Sequence, residues 1–203
     1  GIMKCKYTLI TLAFLLPVFW LSAQIPSTLY WASETHRSLS DISLANGTLD
    51  ALDFEFVSPS GPAQVNFDAT NEALYLVDLN RILRIDWNNA SGVDILVQGS
   101  NSELIRGMAI DESNNTLYWT TGSTVMRSQL DGSNPQIFFE SPNANDLLGN
   151  IAIDLVNQQL FVLAFSNGFF SIDIASAAET FRSAAGFHRT IEFDPGQSQL
   201  YLF

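Results

Sequence analysis

The sequence has 203 residues, 47% of them hydrophobic, one cysteine and a formal charge of −12. That length carries a core able to fold without covalent staples, and a single cysteine excludes both a disulfide framework and the paired cysteines of a zinc ribbon. Twelve surplus negative charges leave no clustered Lys and Arg for a phosphate backbone, so nucleic acid is not an expected partner.

Read from the N-terminus, Met3-Lys4-Cys5-Lys6 is a short basic segment. A run of 14 mostly apolar residues follows over 8–21, and Leu21-Ser22-Ala23 closes it with small residues. A basic start, an apolar middle and a small-residue exit predict a secretory signal peptide over 1–23. The run is shorter than the roughly 20 residues a membrane span needs, so no span is expected once the signal is removed. Cys5 precedes the apolar run and is not placed as a lipidated cysteine at a cleavage site. The remaining 24–203 holds seven Arg, no Lys and 21 acids, a formal charge of −14, and no cysteine. An exported chain without cysteine suits a bacterial extracellular or periplasmic protein better than an animal one.

From residue 28 onward the chain repeats. Leu29-Tyr30 opens a first unit near 28–60, and four later segments end an apolar alternation in aspartate: Asp68, Asp111, Asp154 and Asp194. Each is followed, after a polar stretch, by Leu and an aromatic, in turn Tyr75, Tyr118, Phe161 and Tyr201. The aspartates are spaced 43, 43 and 40 residues apart and the aromatics 45, 43, 43 and 40, counting from Tyr30. Two landmarks in register define repeats near 28–60, 61–100, 104–142, 147–185 and 188–203. Within the third, strands read at 107–111, 116–121, 124–130 and about 136–140. They are separated by the turn residues Glu112-Ser113-Asn114-Asn115 and Asp131-Gly132. Only 175–185 is tempting as a helix. Four short antiparallel strands in about 43 residues predict an all-β protein built from β-propeller blades.

Gly107-Met108-Ala109-Ile110-Asp111, Leu117-Tyr118-Trp119-Thr120 and Leu130-Asp131-Gly132-Ser133-Asn134 resemble the YWTD repeat of low-density-lipoprotein-receptor-type propellers, with NHL and gluconolactonase-like propellers as neighbours. The motif is uneven: Thr121 stands where it has Asp, Asp78 fills that place one repeat earlier, and Ala32-Ser33 breaks it after Tyr30-Trp31. The resemblance implies a six-bladed ring. About four blades are present, so the chain reads as the N-terminal fragment of a longer protein whose ring is incomplete here. Residues 24–203 alone are then expected to be poorly soluble or partly unfolded.

The repeated residues have structural readings. Each aspartate at a strand end is expected to accept hydrogen bonds from turn amides. Tyr30, Tyr75, Tyr118, Trp119, Phe161 and Tyr201 are expected to pack between blades. Ala109 and Ala152 suit crowded inner strands, Glu192 at the equivalent place either faces a central channel or sits at a solvated strand end, and His36 and His188 read as surface residues. No phosphate loop, nucleophile elbow or HExxH helix occurs, so no catalytic or cofactor residue is assigned. In the usual propeller geometry the loops joining second to third strands, and fourth strands to the next blade, share one face. That places Glu34, Asp78, Thr121 and Phe165, with Glu103, Arg106, Asp146 and His188, on a candidate ligand face. The leading expectation is a secreted binding platform for a protein or carbohydrate. A gluconolactonase-like hydrolase with an axial metal, calcium being the candidate, is the alternative; a passive domain of a larger cell-surface protein is the third.

Overall fold

A computed structural model describes residues 28–33, 38–43, 49–52, 64–68, 70–86, 93–100, 102–143, 145–165, 168–184 and 188–203. The predicted signal over 1–23, Glu34 and His36 lie outside the described residues, as do the side chains of the first repeat, Tyr30 included.

The described chain is all β. Strands β1 (Thr28–Ser33), β2 (Ser38–Ser43) and β3 (Leu49–Leu52) form an antiparallel three-stranded sheet. Three four-stranded sheets follow. They are β4 (Gln64–Asp68) with β5 (Ala73–Asp78), β6 (Arg81–Asp86) and β7 (Val93–Gln98); β8 (Ile105–Asp111) with β9 (Thr116–Thr121), β10 (Thr124–Gln129) and β11 (Gln136–Glu140); and β12 (Leu148–Asp154) with β13 (Gln159–Ala164), β14 (Gly168–Asp173) and β15 (Ala178–Ser183). A final pair joins β16 (Ile191–Asp194) to β17 (Gln199–Leu202). Every pairing is antiparallel between sequential strands, and the first strands β4, β8, β12 and β16 lie beside one another at the inner edge of the sheets. This is a β-propeller, and the five sheets are called blades A to E in chain order. The segment that tempts a helical reading contains β15 instead, held by ladder bonds to β14.

The strand sequences follow from their places in a blade. β5 is buried along its whole length and reads as a continuous apolar run, Ala-Leu-Tyr-Leu-Val, before Asp78. β7, the outer strand of the same blade, has no fully buried residue. On β9, period-two alternation sends successive side chains to opposite faces. Tyr118 joins a core with Leu148, Val162 and Phe170 of blade D, while Trp119 joins one with Tyr75, Val77 and Ile82 of blade B. The hydrophobic core therefore lies between blades. Tyr75, Tyr118 and Trp119 are all buried in it, and Phe161 stacks on Phe193 of blade E at 5.7 Å between centroids. Tyr201, on β17, is 37% exposed because no described blade covers its far side.

The repeated aspartates close the turn from each first strand to the second. Asp68 accepts from the amides of Thr70 and Asn71, Asp111 from that of Asn114, Asp154 from those of Val156 and Asn157, and Asp194 from those of Gly196 and Gln197. The side-chain amides of Asn71, Asn114 and Asn157 each donate a second bond at 2.7 Å to the other carboxylate oxygen. Four residues after each aspartate the chain turns left-handed, at Glu72, Asn115, Gln158 and Ser198, with φ between 49° and 54°. A non-glycine residue in that region costs on the order of 1 kcal/mol, and the carboxylate's bonds to the turn hold it there.

Candidate functional site

Two concave regions of the propeller bear on function. The first is a cavity of about 220 Å³ between the inner strands, lined by Gln64 and Asn66 of β4, Met108 and Ala109 of β8, Ile151 and Ala152 of β12, and Glu192 of β16, among others. Its amides are already engaged. Gln64 Oε1 accepts from the Met108 amide at 2.7 Å and from Asn150 Nδ2 at 3.1 Å, Asn66 Nδ2 donates to the Met108 carbonyl at 3.2 Å, and Asn150 Oδ1 accepts from the Ile191 amide at 3.4 Å. Side chains thus stitch together inner strands that share no backbone ladder. Gly107 makes the stitch possible: a Cβ there would stand 2.7 Å from Asn150 Cα and 2.8 Å from the Ile151 nitrogen. Glu192 lines the cavity while remaining exposed, and desolvation by the surrounding walls raises its carboxyl above the usual value of 4.5. Among the described residues no three His, Cys, Asp or Glu side chains are grouped to hold a metal.

The second region lies at the opposite end of the inner strands from the aspartate turns. A groove of about 480 Å³ is lined by Glu103, Leu104, Arg106, Thr121, Met126, Ile137 and Leu147, with other residues of the same loops. Two local features create it. In the ladder between β8 and β9, Ile105 faces Thr121 and Gly107 faces Thr120, so Arg106 is the extra residue of a bulge; a bulge re-aims the side chain it carries. Gly122, left-handed at φ 55°, has nothing within 4 Å of where a Cβ would stand, so the turn after Thr121 leaves the space open. One repeat later, 43 residues on, Phe165 stands at the place of Gly122 and Gly149 at that of Arg106. There the Phe165 ring comes within 3.0 Å of a Gly149 Cβ position, filling the equivalent space.

Arg106 is partly buried, and its one described hydrogen bond is a long one, 3.4 Å from Nη1 to the Leu104 carbonyl. Desolvation lowers its pKa from the ordinary guanidinium value. Around it Leu104, Leu147 and Ile137 are exposed, Ile137 by 62%. Glu103 stands exposed in the same groove, accepting from Ser100 Oγ at 3.1 Å.

The structure therefore gathers Glu103, Arg106 and Thr121 of the predicted ligand face into one groove and disposes of others differently. Asp78 and Asp146 do not present their carboxylates: both are buried, because each neutralises an arginine of its own blade end. Asp78 pairs with Arg81 across the β5–β6 turn. Asp146 accepts from Arg182 at 2.9 Å, from Ser141 at 2.5 Å and from Asn143 at 3.1 Å. Phe165 covers Gly149 as described, and His188, partly buried, lies just before β16. Sequence reading missed the groove's apolar rim of Leu104, Ile137 and Leu147, and the amide stitch of Gln64 and Asn150. An outward-facing Ile on the fourth strand of its blade was the available signal for the former.

No protein-family model matches the sequence, and no curated protein matches it either. Solved structures do. The chain superposes on a propeller of a nidogen/laminin complex with a TM-score of 0.71 at 18% identity, covering 88% of this chain and 68% of that one. It superposes on a gluconolactonase from Xanthomonas campestris with a TM-score of 0.64 at 14% identity, over 87% of this chain and 65% of that one. An extracellular domain from B. thetaiotaomicron matches with a TM-score of 0.66 at 12% identity, over 87% of this chain and 25% of that one. At these identities the likeness is one of fold, and it defines the class: a β-propeller with four-stranded antiparallel blades. The chain spans under two-thirds of the gluconolactonase and a quarter of the B. thetaiotaomicron chain. Among the described residues no helix is long and apolar enough to cross a membrane.

Proposed function

We propose that this chain is an exported propeller of the YWTD type that serves as a binding platform for a protein or carbohydrate ligand, held at the end of the ring that carries the Arg106 groove. The observation that carries this reading is the contrast between the ends. At the aspartate end the repeated carboxylates serve their own turns, and the concavity of about 300 Å³ beside Asn71 and Asn115 holds an Arg84 already paired with Asp94. The groove end offers a larger concavity whose guanidinium has no carboxylate against it and whose rim is exposed and apolar. The YWTD-like Leu117-Tyr118-Trp119-Thr120, the signal-like residues 1–23 and the likeness to a propeller from a nidogen/laminin complex support it. Hydrolysis at the axis is the weaker reading. The amides of Gln64, Asn66 and Asn150 are committed to neighbouring strands, and calcium-dependent thermal stabilisation would be its signature.

The test is to block one end at a time. With Cys5 replaced by Ser, Thr121→Cys on the groove end or Val156→Cys on the aspartate turn of β12–β13 is coupled to a bulky maleimide. Each conjugate is then applied to arrays of purified extracellular proteins and of glycans. Loss of binding on coupling at position 121 and retention at 156 is the expected result. The reverse pattern, or no specific binding on either array, overturns the proposal.

A further inference from the structure

We infer that the Arg106 groove takes an acidic side chain of a partner protein, presented beside an apolar residue of the same segment. The inference rests on the binding-platform reading and names the chemistry of its ligand.

The argument begins with how arginines are used in this chain. Arg81 pairs with Asp78, Arg84 with Asp94 at 2.6 Å, and Arg182 with both Glu179 and Asp146. Arg127 lies over the Phe138 ring at 5.3 Å, and Arg189 is exposed. Arg106 alone among the described arginines is partly buried with neither a carboxylate nor a ring against it, in a sequence holding 21 acids. A desolvated guanidinium left without a counter-charge is unfavourable for the folded chain by itself. The groove's geometry shows what would relieve it. Arg is the side chain best suited to bidentate recognition of a carboxylate, and it stands here at a bulge that turns it into the open space. The rim of Leu104, Ile137 and Leu147 excludes water around such a pair and provides the contact for a neighbouring apolar residue. Among the described residues no aromatic side chain lines the groove, and sugar rings dock chiefly by stacking on aromatic faces, so an acidic glycan is the less suited occupant. The chain's overall charge of −12 opposes an acidic partner at long range. That repulsion is screened beyond about 8 Å at physiological salt, so it slows association more than it weakens the docked pair.

The test uses the full chain and synthetic peptides in which one Asp or Glu is flanked by Leu, Ile or Val, labelled for fluorescence polarisation. Matched peptides carry Asn or Gln at the acidic position, and a panel of uronic-acid oligosaccharides is run in parallel. The acidic peptides should bind, and replacing the acid by its amide should weaken binding roughly ten- to a hundred-fold. Arg106→Met should cause the same loss without lowering the thermal midpoint, whereas an arginine kept for structure would lower it. Glu103→Gln should bind as tightly or more tightly. Equal binding of acid and amide peptides, or binding indifferent to Arg106→Met, overturns the inference, as does binding of the oligosaccharides alone. If the peptides fail while blocking at Thr121 still abolishes array binding, the acidic inference falls and the platform stands. If both fail, both fall.

Discussion

The two ends of the inner strands are built on opposite rules. At one end blades B to E each close with an aspartate whose carboxylate accepts from its own turn, followed by a left-handed residue four positions on. At the other end equivalent positions differ from blade to blade: Gln64, Gly107 and Asn150 in one column, Arg106 and Gly149 in the next, Gly122 and Phe165 on the turn above. Repetition marks a demand that every blade shares, namely reversing the chain beside the axis without leaving amides unsatisfied. Variation marks where one blade meets a particular neighbour or leaves room for a ligand. The first end is the chain's scaffold and the second carries its individuality.

The largest effect should come from breaking the repeated end. Asp111 is fully buried and accepts from the Asn114 amide, the Asn114 side chain and Ser113 Oγ. Asp111→Ala leaves those donors without a charged acceptor and should cost about 3 kcal/mol, read as a shift of the urea midpoint. Asp194, which accepts from the Gly196 and Gln197 amides in a more exposed turn, should cost clearly less when replaced by Ala. Equal losses would mean that burial is not what gives the turn its strength.

The repeated end was legible in the sequence and the variable end was not, for a physical reason. Asp68, Asp111, Asp154 and Asp194 recur at nearly constant spacing because the same hydrogen bonds recur. The strands expected at 116–121 and 136–140 coincide with Thr116–Thr121 and Gln136–Glu140. The partner amides were equally visible, as Asp-x-x-Asn at Asn71, Asn114 and Asn157, but only the geometry showed that they share the carboxylate. At the other end, the strand expected to begin at 107 begins at Ile105, because a bulge admits Arg106 out of phase with the alternation. A bulge has no period, so alternation cannot announce it. The burial of Asp78 and Asp146 was hidden likewise, since each depends on an arginine that only the fold brings near: Arg81 across a turn, and Arg182 from 36 residues away.

The next largest effect tests the stitch between inner strands. Gly107→Ala would force a methyl against the Asn150 backbone, which cannot swing aside as a side-chain end could. About 2 kcal/mol of destabilisation is expected from such overpacking, measured by urea denaturation. Gln64→Ala should cost about 1 kcal/mol by removing one acceptor from the Met108 amide and from Asn150. Because Gln64 and Asn150 share a bond across 86 residues of sequence, their double alanine variant should lose less than the two single losses together. Strict additivity would show that the contact is not coupled.

The smallest expected effect concerns a column of the axis where one inner strand carries an acid and its described neighbours carry none. Asn66, Ala109 and Ala152 precede their aspartates by two residues, and the equivalent residue of β16 is Glu192. Desolvation raises its carboxyl above 4.5, so the folded chain holds that proton to higher pH than the unfolded chain does. Stability therefore falls as pH rises from about the unfolded value through the folded one, and the full cost of the charge is present above both. Glu192→Gln should raise the thermal midpoint slightly at pH 7, with the gain shrinking to nothing as the pH falls below 4.5. A gain that persisted in acid would come from packing and not from charge. A loss at pH 7 would show that the carboxylate has a favourable partner at the axis, and the axial cavity would then share the individuality assigned here to the groove end alone.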